Sequence, residues 1–513
     1  MKTVILCLVI LLFSSFITNA NNLTISNLSL TGQDNGYDYV MVQFDISWEN
    51  SWRVSSAPNN WDAAWLFVKY KKASDGLWYH ATLNTTAANH SAGSQGTSAT
   101  IYPRSDGKGI FFYRSGDGSG TFTSTAVQLR WGYGSDGMTD DLNSDISNIQ
   151  VFGIEMVYVP QGAFYVGSGG SEYEHFFTYP NNTYPYQINS ESEIIVGAAN
   201  SALFYTNSGN GGDQTGPIPA AFPKGYNAFY CMKYEITQEQ YVAFLNTLTR
   251  NQQGNRVATD ISGTSITNRF VMSNSNTMLW RNGIKCDASI PSSPTTVTFY
   301  CDYNGNGTGN EASDGQNIAC NWLSWADGAA YSDWSGLRPM TELEFEKACR
   351  GIANPVANEF AWGSTTIQEA TGISNSGQAS EAPSNATANC VYNANSNVQG
   401  PMRVVSMTSS SRSSTGGSFY GIMEMSGNLW ERAVTVGNST GRGFTGVIGN
   451  GILNYGGNAD ASNWPGTDAN GSGCRGGSWF EVNNHCTTSS RHVSAFPSVD
   501  RGNYVGFRCV SGL

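Results

Sequence analysis

From Val40 the chain alternates: Val40, Val42, Phe44, Ile46 and Trp48 fall on one side of a period-2 pattern, with Gln43, Asp45 and Ser47 on the other. Successive side chains of a strand point to opposite faces, so this stretch predicts a strand covered on one side. "AAWLFVKYKK", "GIFFYR" and "AVQLRWGYG" are further strand candidates, separated by Gly, Asp and Ser turns. Residues 21–150 therefore read as an all-β, sandwich-like accessory module with no catalytic constellation in it.

From "IEMVYVPQGAFYVGS" onward the pattern changes, and helices with start signals appear. "TQEQYVAFLNTL" offers Thr237 and Gln240 as a capping box, with Tyr241, Leu245 and Leu248 on one face. "SWADGAAYSDWSG" starts at Ser324 and stops at Gly336, and "TELEFEKACRG" repeats the capping logic with Thr341 and Glu344. Glycine- and serine-rich stretches, notably 374–416, read as surface loops. A few helices among many short segments predict an α+β domain over 151–513, and the change of pattern predicts that a fragment from about 152 folds alone.

Composition narrows the setting. "MKTVILCLVILLFSSFITNA" places a lysine before an apolar run and ends in small residues, which predicts a signal peptide over 1–20 and a secreted, extracellular or cell-surface protein, with the periplasm as an alternative. No later run is long and apolar enough to span a bilayer. Charged residues make up only 13% of the 513, so Asn, Ser, Thr and Gly must build the surface. A net charge of -12 argues against nucleic acid as a partner and leaves a protein or glycan ligand. Ten cysteines, one of them Cys7 in the leader, leave an odd number for the exported chain, so at least one thiol is free or pairs with another chain. The five histidines show no HxxxH spacing, which argues against a histidine-built zinc or non-heme iron site.

Six motifs occur in order: "MVYVPQGAFYVGS", "FYCMKYEITQEQYVAFLN", "SWADGAAYSDWSGLRPMTELEFEKACRG", "EFAWG", "MEMSGNLWE" and "RGGSW" followed by "GFRCV". Together they resemble the sulfatase-modifying-factor family, which includes the formylglycine-generating enzymes and has a fold related to C-type lectins. The resemblance implies two cysteines that bind copper and activate oxygen to oxidise a substrate cysteine. The second of these falls on Cys486, and the first falls on Glu481. Soft Cu(I) wants two thiolates and a carboxylate is a hard ligand, so copper is not expected here. Ser478 and Trp430 match pocket positions, which makes Cys486, Ser478 and Trp430 the candidate catalytic residues if any chemistry survives. The family's two disulfides would use Cys349 and Cys509, but the partner positions read Ser332 and Arg491. Cys486 is then open to a structural role, bonded to one of those two. Related iron-dependent sulfoxide synthases draw on a histidine cluster that the sequence does not display.

Calcium is the cofactor the resemblance favours. In "EMSGNLWE" it implies side-chain oxygens from Glu424 and Glu431 and carbonyls from Gly427 and Leu429. Independently, "DYNGNGTGNEASD" places Asp302, Asn304, Asn306 and Thr308 at positions 1, 3, 5 and 7 of a calcium-type loop with Gly307 at its turn; position 12 is Ser313, with Asp314 one further on.

Three functions remain open. A binding or assembly domain that retains the enzyme fold is favoured by Glu481. A formylglycine-type oxidase acting on a cysteine of a sulfatase or another protein is the alternative. The third is a hypervariable ligand-binding protein of the C-type-lectin fold, whose variable positions would lie between Phe480 and Val505.

Overall fold

A computed structural model describes residues 23–207, 209–407 and 411–513. The expected signal peptide, 1–20, lies outside the described residues. Two antiparallel sheets dominate the N-terminal part. The strands Thr24–Asp34, Tyr39–Arg53, Gly118–Trp131 and Gln95–Gly96 form a four-stranded sheet. Opposite it lies an eight-stranded sheet that takes Asp62–Lys72, Ile110–Arg114 and Ala99–Pro103 from this part of the chain.

The Tyr39–Arg53 strand buries alternate residues, as its pattern requires. Asp62–Lys72 is buried without interruption from Asp62 to Tyr70. Period 2 explains the difference. Ala64, Leu66 and Val68 pack with Val42, Phe44 and Ile46 between the two sheets, while Ala63, Trp65 and Phe67 face a second core with Phe244, Trp325 and Trp334. The wide sheet is therefore covered on both sides, by the small sheet and by the C-terminal helices.

That sheet crosses the expected boundary at 150/151. Ile146–Val159 is a single strand in which Gln150 lies opposite Lys69, and its far end, Met156 to Val159, pairs with Phe229–Met232. Phe229–Met232 pairs in turn with the C-terminal strand Cys509–Gly512. The two parts thus share one sheet instead of meeting at a linker.

The helix starts read from the sequence are present. Thr237, Ser324 and Thr341 each cap a helix through a reciprocal capping box, opening Gln238–Leu245, Trp325–Trp334 and Glu342–Arg350. A further helix, Arg250–Arg256, opens with the same box at Thr249 and Gln252. Among its described residues the 374–416 stretch carries two-residue strand pairing, isolated bridges at Cys390 and Arg403, and one helical turn, Arg412–Thr415. Among the described residues no helix is long and apolar enough to cross a membrane.

Candidate functional site

The site is built on the strand Trp430–Val434, antiparallel to Ser472–Arg475 and parallel to Val505–Gly506. After Arg475 the chain turns through Gly476 and Gly477, with φ of 93° and 73°. Glycine is required at 477 for space as well as for φ, because a Cβ there would lie 2.6 Å from the Cys486 sulfur. Cys486, just past the helical turn Asn483–His485, is 0% exposed and packs with Phe360, Trp362 and Cys390. Its thiol lies 3.8 Å from the Val482 carbonyl.

The other expected residues gather above this thiol. Ser478 is fully buried and its Oγ accepts from the Phe480 N–H at 3.3 Å. Trp430 Nε1 donates to Glu481 Oε1 at 3.4 Å, and Glu481 Oε2 stands 4.0 Å from His485 Nε2. Glu481 is thus held by an indole and a neighbouring imidazole, and keeps 28% of its side chain exposed.

Tyr173 had no site signal in the sequence, whereas His485 and His492 lie within the Phe480–Val505 interval of the hypervariable reading. The rings of His485 and His492 lie 4.5 Å apart, and Tyr173 stacks on His485 at 5.2 Å and approaches His492 at 5.0 Å. Asn484 Nδ2 donates to the Tyr173 hydroxyl at 3.3 Å. Burial lowers the His485 pKa; the Glu481 carboxylate opposes this, and His492 reinforces it. Phe480 (51% exposed) stacks on Tyr504 (37% exposed), with their ring centroids 6.0 Å apart. Among the described residues no group of three or more His, Cys, Asp or Glu side chains is arranged to hold a metal ion.

A family model described as the sulfatase-modifying factor enzyme 1-like domain matches residues 148–513. The chain belongs to this family. Its matched region starts inside the strand that joins the two parts of the chain. No curated protein matches the chain. Among solved structures, the chain is similar to Treponema denticola variable protein 1, at 14% identity and a TM-score of 0.26, covering 66% of this chain and 99% of that one.

This sulfatase-modifying-factor-like domain fills the two implied disulfide positions in other ways. Ser332 Oγ lies 3.1 Å from Cys509 Sγ, so serine stands where a sulfur partner would be. Arg491 is fully buried, donates through Nε to Glu342 Oε2 at 2.7 Å, and lies 4.1 Å from the rings of Phe176 and Tyr205. It belongs to an ion-pair network on the Glu342–Arg350 helix, where Arg475 bridges Glu342 at 3.1 Å and Glu346 at 2.8 Å.

The carboxylates of the first calcium expectation are engaged in part by the protein itself. Both Glu431 oxygens accept from Arg508 Nε at 3.0 Å, and Oε1 also accepts from Nη2 at 2.7 Å. Glu424 Oε1 accepts from the Val405 N–H at 2.8 Å, and the Leu429 N–H donates to Glu235 Oε1 at 3.0 Å. The positive charge at Glu431 is a guanidinium, whereas Glu424 Oε2 is buried without a hydrogen-bond partner. In the second loop Lys285 pairs with Asp302 Oδ2, while Asn304 and Asn306 accept the N–H groups of Asn306 and Thr308 at 2.9 and 2.7 Å. Asp302, Asn304, Asn306 and Thr308 form the expected turn, with a lysine as the cation beside it.

Glu431→Gln is therefore expected to cost about 3 kcal/mol or more, because it strands a buried guanidinium. The loss should be the same in calcium and in chelator when followed by thermal melting. A calcium-dependent midpoint in the wild type that disappears in the variant would restore the metal site.

Proposed function

We propose that this chain is an exported binding protein whose sulfatase-modifying-factor-like domain meets a protein or glycan ligand through the Phe480–Tyr504 face and performs no oxidation. The observation that carries the reading is the placement of Cys486: sealed under Gly477, with no exposed surface, while Glu481 holds the position that the family resemblance assigns to the first thiolate. A thiol so placed can neither take a substrate sulfur into a shared copper site nor attack a substrate. The face above it has the character of a contact surface instead, with Phe480, Val482, Phe496, Val499 and Tyr504 all exposed within the interval that the hypervariable reading singles out. Exposed aromatic side chains with few rotatable bonds supply contact area at low entropic cost, which suits either ligand class. Export is supported by the leader pattern of residues 1–20.

The test has two arms. Incubated with Cu(I), oxygen and a cysteine peptide of the sulfatase type, the protein should yield no aldehyde by mass spectrometry; stoichiometric copper with aldehyde product would overturn the reading. On glycan and protein arrays, binders of the wild type should lose about tenfold or more in affinity with Phe480→Ser/Tyr504→Ser, the scale of one aromatic hot spot. They should keep it with Tyr37→Ser, a change at an exposed tyrosine outside this face. Binding indifferent to the face variants would place the function elsewhere.

A further inference from the structure

Cys486 has one sulfur neighbour, and it comes from a segment that no motif marked. Cys390 is 2% exposed, sits in the same small core as Cys486, and directs its thiol to the Ser426 carbonyl at 3.1 Å, one residue before Gly427. Backbone contacts bring the two glycine turns that lie against these sulfurs side by side. A Cβ on Gly427 would lie 2.5 Å from the Cys390 sulfur, a Cβ on Gly477 would lie 2.6 Å from the Cys486 sulfur, and the Gly427 N–H donates to the Gly476 carbonyl at 2.8 Å. The segments that carry the thiols also run side by side, with the Asn393 N–H on the Glu481 carbonyl and the Ala394 N–H on the Trp479 carbonyl, both at 2.7 Å. The remaining described cysteines lie in other clusters: Cys286, Cys301, Cys320 and Cys509 in the largest core, Cys231 and Cys349 in a second, Cys474 in a third.

We infer that Cys390 and Cys486 are joined by a disulfide in the mature protein. Two thiols lose their hydrogens and one S–S bond forms, while the S–S bond of a disulfide oxidant, either a low-molecular-weight disulfide or a dithiol–disulfide oxidoreductase, breaks and takes up both electrons and both protons as two thiols. Because the pair is sealed in the folded chain, the exchange takes place before the Asn483–His485 turn closes over it. The bond links positions roughly a hundred residues apart, so it restricts the unfolded chain strongly. It also fastens the loop beneath the exposed aromatic face to the 390–394 segment. Cys486 thereby acquires a covalent partner other than Cys349 or Cys509. The inference stands whether or not the face binds the ligand class proposed above.

The full chain, exported into an oxidising compartment and purified without reductant, is unfolded in the presence of an alkylating agent and digested. Mass spectrometry should find the Cys390 and Cys486 peptides joined, two hydrogens lighter than their sum and separated by reductant. The melting midpoint should fall on reduction in the wild type and in Cys474→Ala, and should no longer respond in Cys390→Ala or Cys486→Ala. Alkylated, unlinked Cys390 and Cys486 in the wild type, or either of them linked to a different cysteine, overturns the inference. Since the mapping is done on the unaltered chain, a variant that fails to fold does not blunt the test.

Discussion

A fragment spanning residues 152–513 is expected to be insoluble or to melt without a cooperative transition, whereas the full chain unfolds in one. Cutting at 151 removes the Asp62–Lys72 ladder from Ile146–Val159 and strips one wall from the larger core. Trp65, Phe67 and Phe111 leave that core; Phe111 stacks on Tyr230 at 3.8 Å, and Phe67 meets Trp334 edge-on at 5.1 Å. At about 1.5–3 kcal/mol for each large apolar side chain, the loss from these three reaches roughly 5–9 kcal/mol, comparable with the net stability of a whole domain. Polar ties go with them: Trp65 Nε1 donates to the Ser335 carbonyl at 2.8 Å, and Arg104 Nη1 donates to the Gly336 carbonyl at 2.6 Å. The fragment would also expose an unpaired strand edge that invites association between chains. Calorimetry beside a full-length control checks this, and a sharp, reversible transition in the fragment would show that the family domain is self-sufficient.

The strand that runs across the expected boundary is instructive about which signals a sequence carries. Tyr39–Arg53 alternates, and its one-sided burial could be read directly. "AAWLFVKY" does not alternate, and an unbroken apolar run is the mark of a strand covered on both faces. The run records that a second covering layer exists; it carries no information that the layer arrives from beyond residue 150. The helix starts were legible because a capping box is local, needing only a Ser or Thr and the side chain three residues on. Arg250–Arg256 has that box too, but Gly254 and the absence of an apolar stripe hid the helix behind it.

The site divides along the same line. Glu481, Ser478 and Cys486 lie within one short segment next to the "RGGSW" motif, so the replacement of a thiolate by a carboxylate could be read from the family resemblance. Cys390, Tyr173 and His492 reach the same place from distant or irregular stretches, and no periodicity joins them. The calcium motif is limited in the same way. "EMSGNLWE" supplies carboxylates at suitable intervals, but Arg508, which arrives from near the C-terminus, takes both oxygens of Glu431. A local motif reports the donors and is silent on the cation that tertiary structure brings to them.

Glu342→Gln is expected to destabilise the chain by about 3–5 kcal/mol, the cost of breaking a buried ion pair from one side. Glu342 and Glu346 lie one helical turn apart on Glu342–Arg350 and face the segment after the glycine turn. Glu342 accepts from Arg491 Nε at 2.7 Å and Nη2 at 3.0 Å and from Arg475 Nη1 at 3.1 Å, and its Oε1 also accepts from the Val436 N–H at 2.8 Å. All three ionic side chains are buried, so neutralising the glutamate leaves two guanidinium groups to share Glu346, with Arg350 already 3.2 Å from it. Burial alone would raise the Glu342 pKa; Arg491, followed by Arg475, outweighs burial and holds it below the ordinary glutamate value. A carboxylate whose folded pKa is depressed stabilises fully above its unfolded value, near 4.3, and that contribution drains away as pH falls through the lower folded value. Chemical denaturation across acid pH should therefore show a wild-type decline that is shallower in Glu342→Gln. Arg491→Met should recover part of the loss when added to Glu342→Gln, since it removes one of the stranded charges and keeps apolar bulk between Phe176 and Tyr205. Strictly additive penalties would mean that Arg491 is held by its aromatic neighbours and its carbonyl acceptors, and that the glutamate contributes little to it. Partial recovery would identify the ion pair as what holds the 475–491 segment, and with it the Phe480–Tyr504 face, in place.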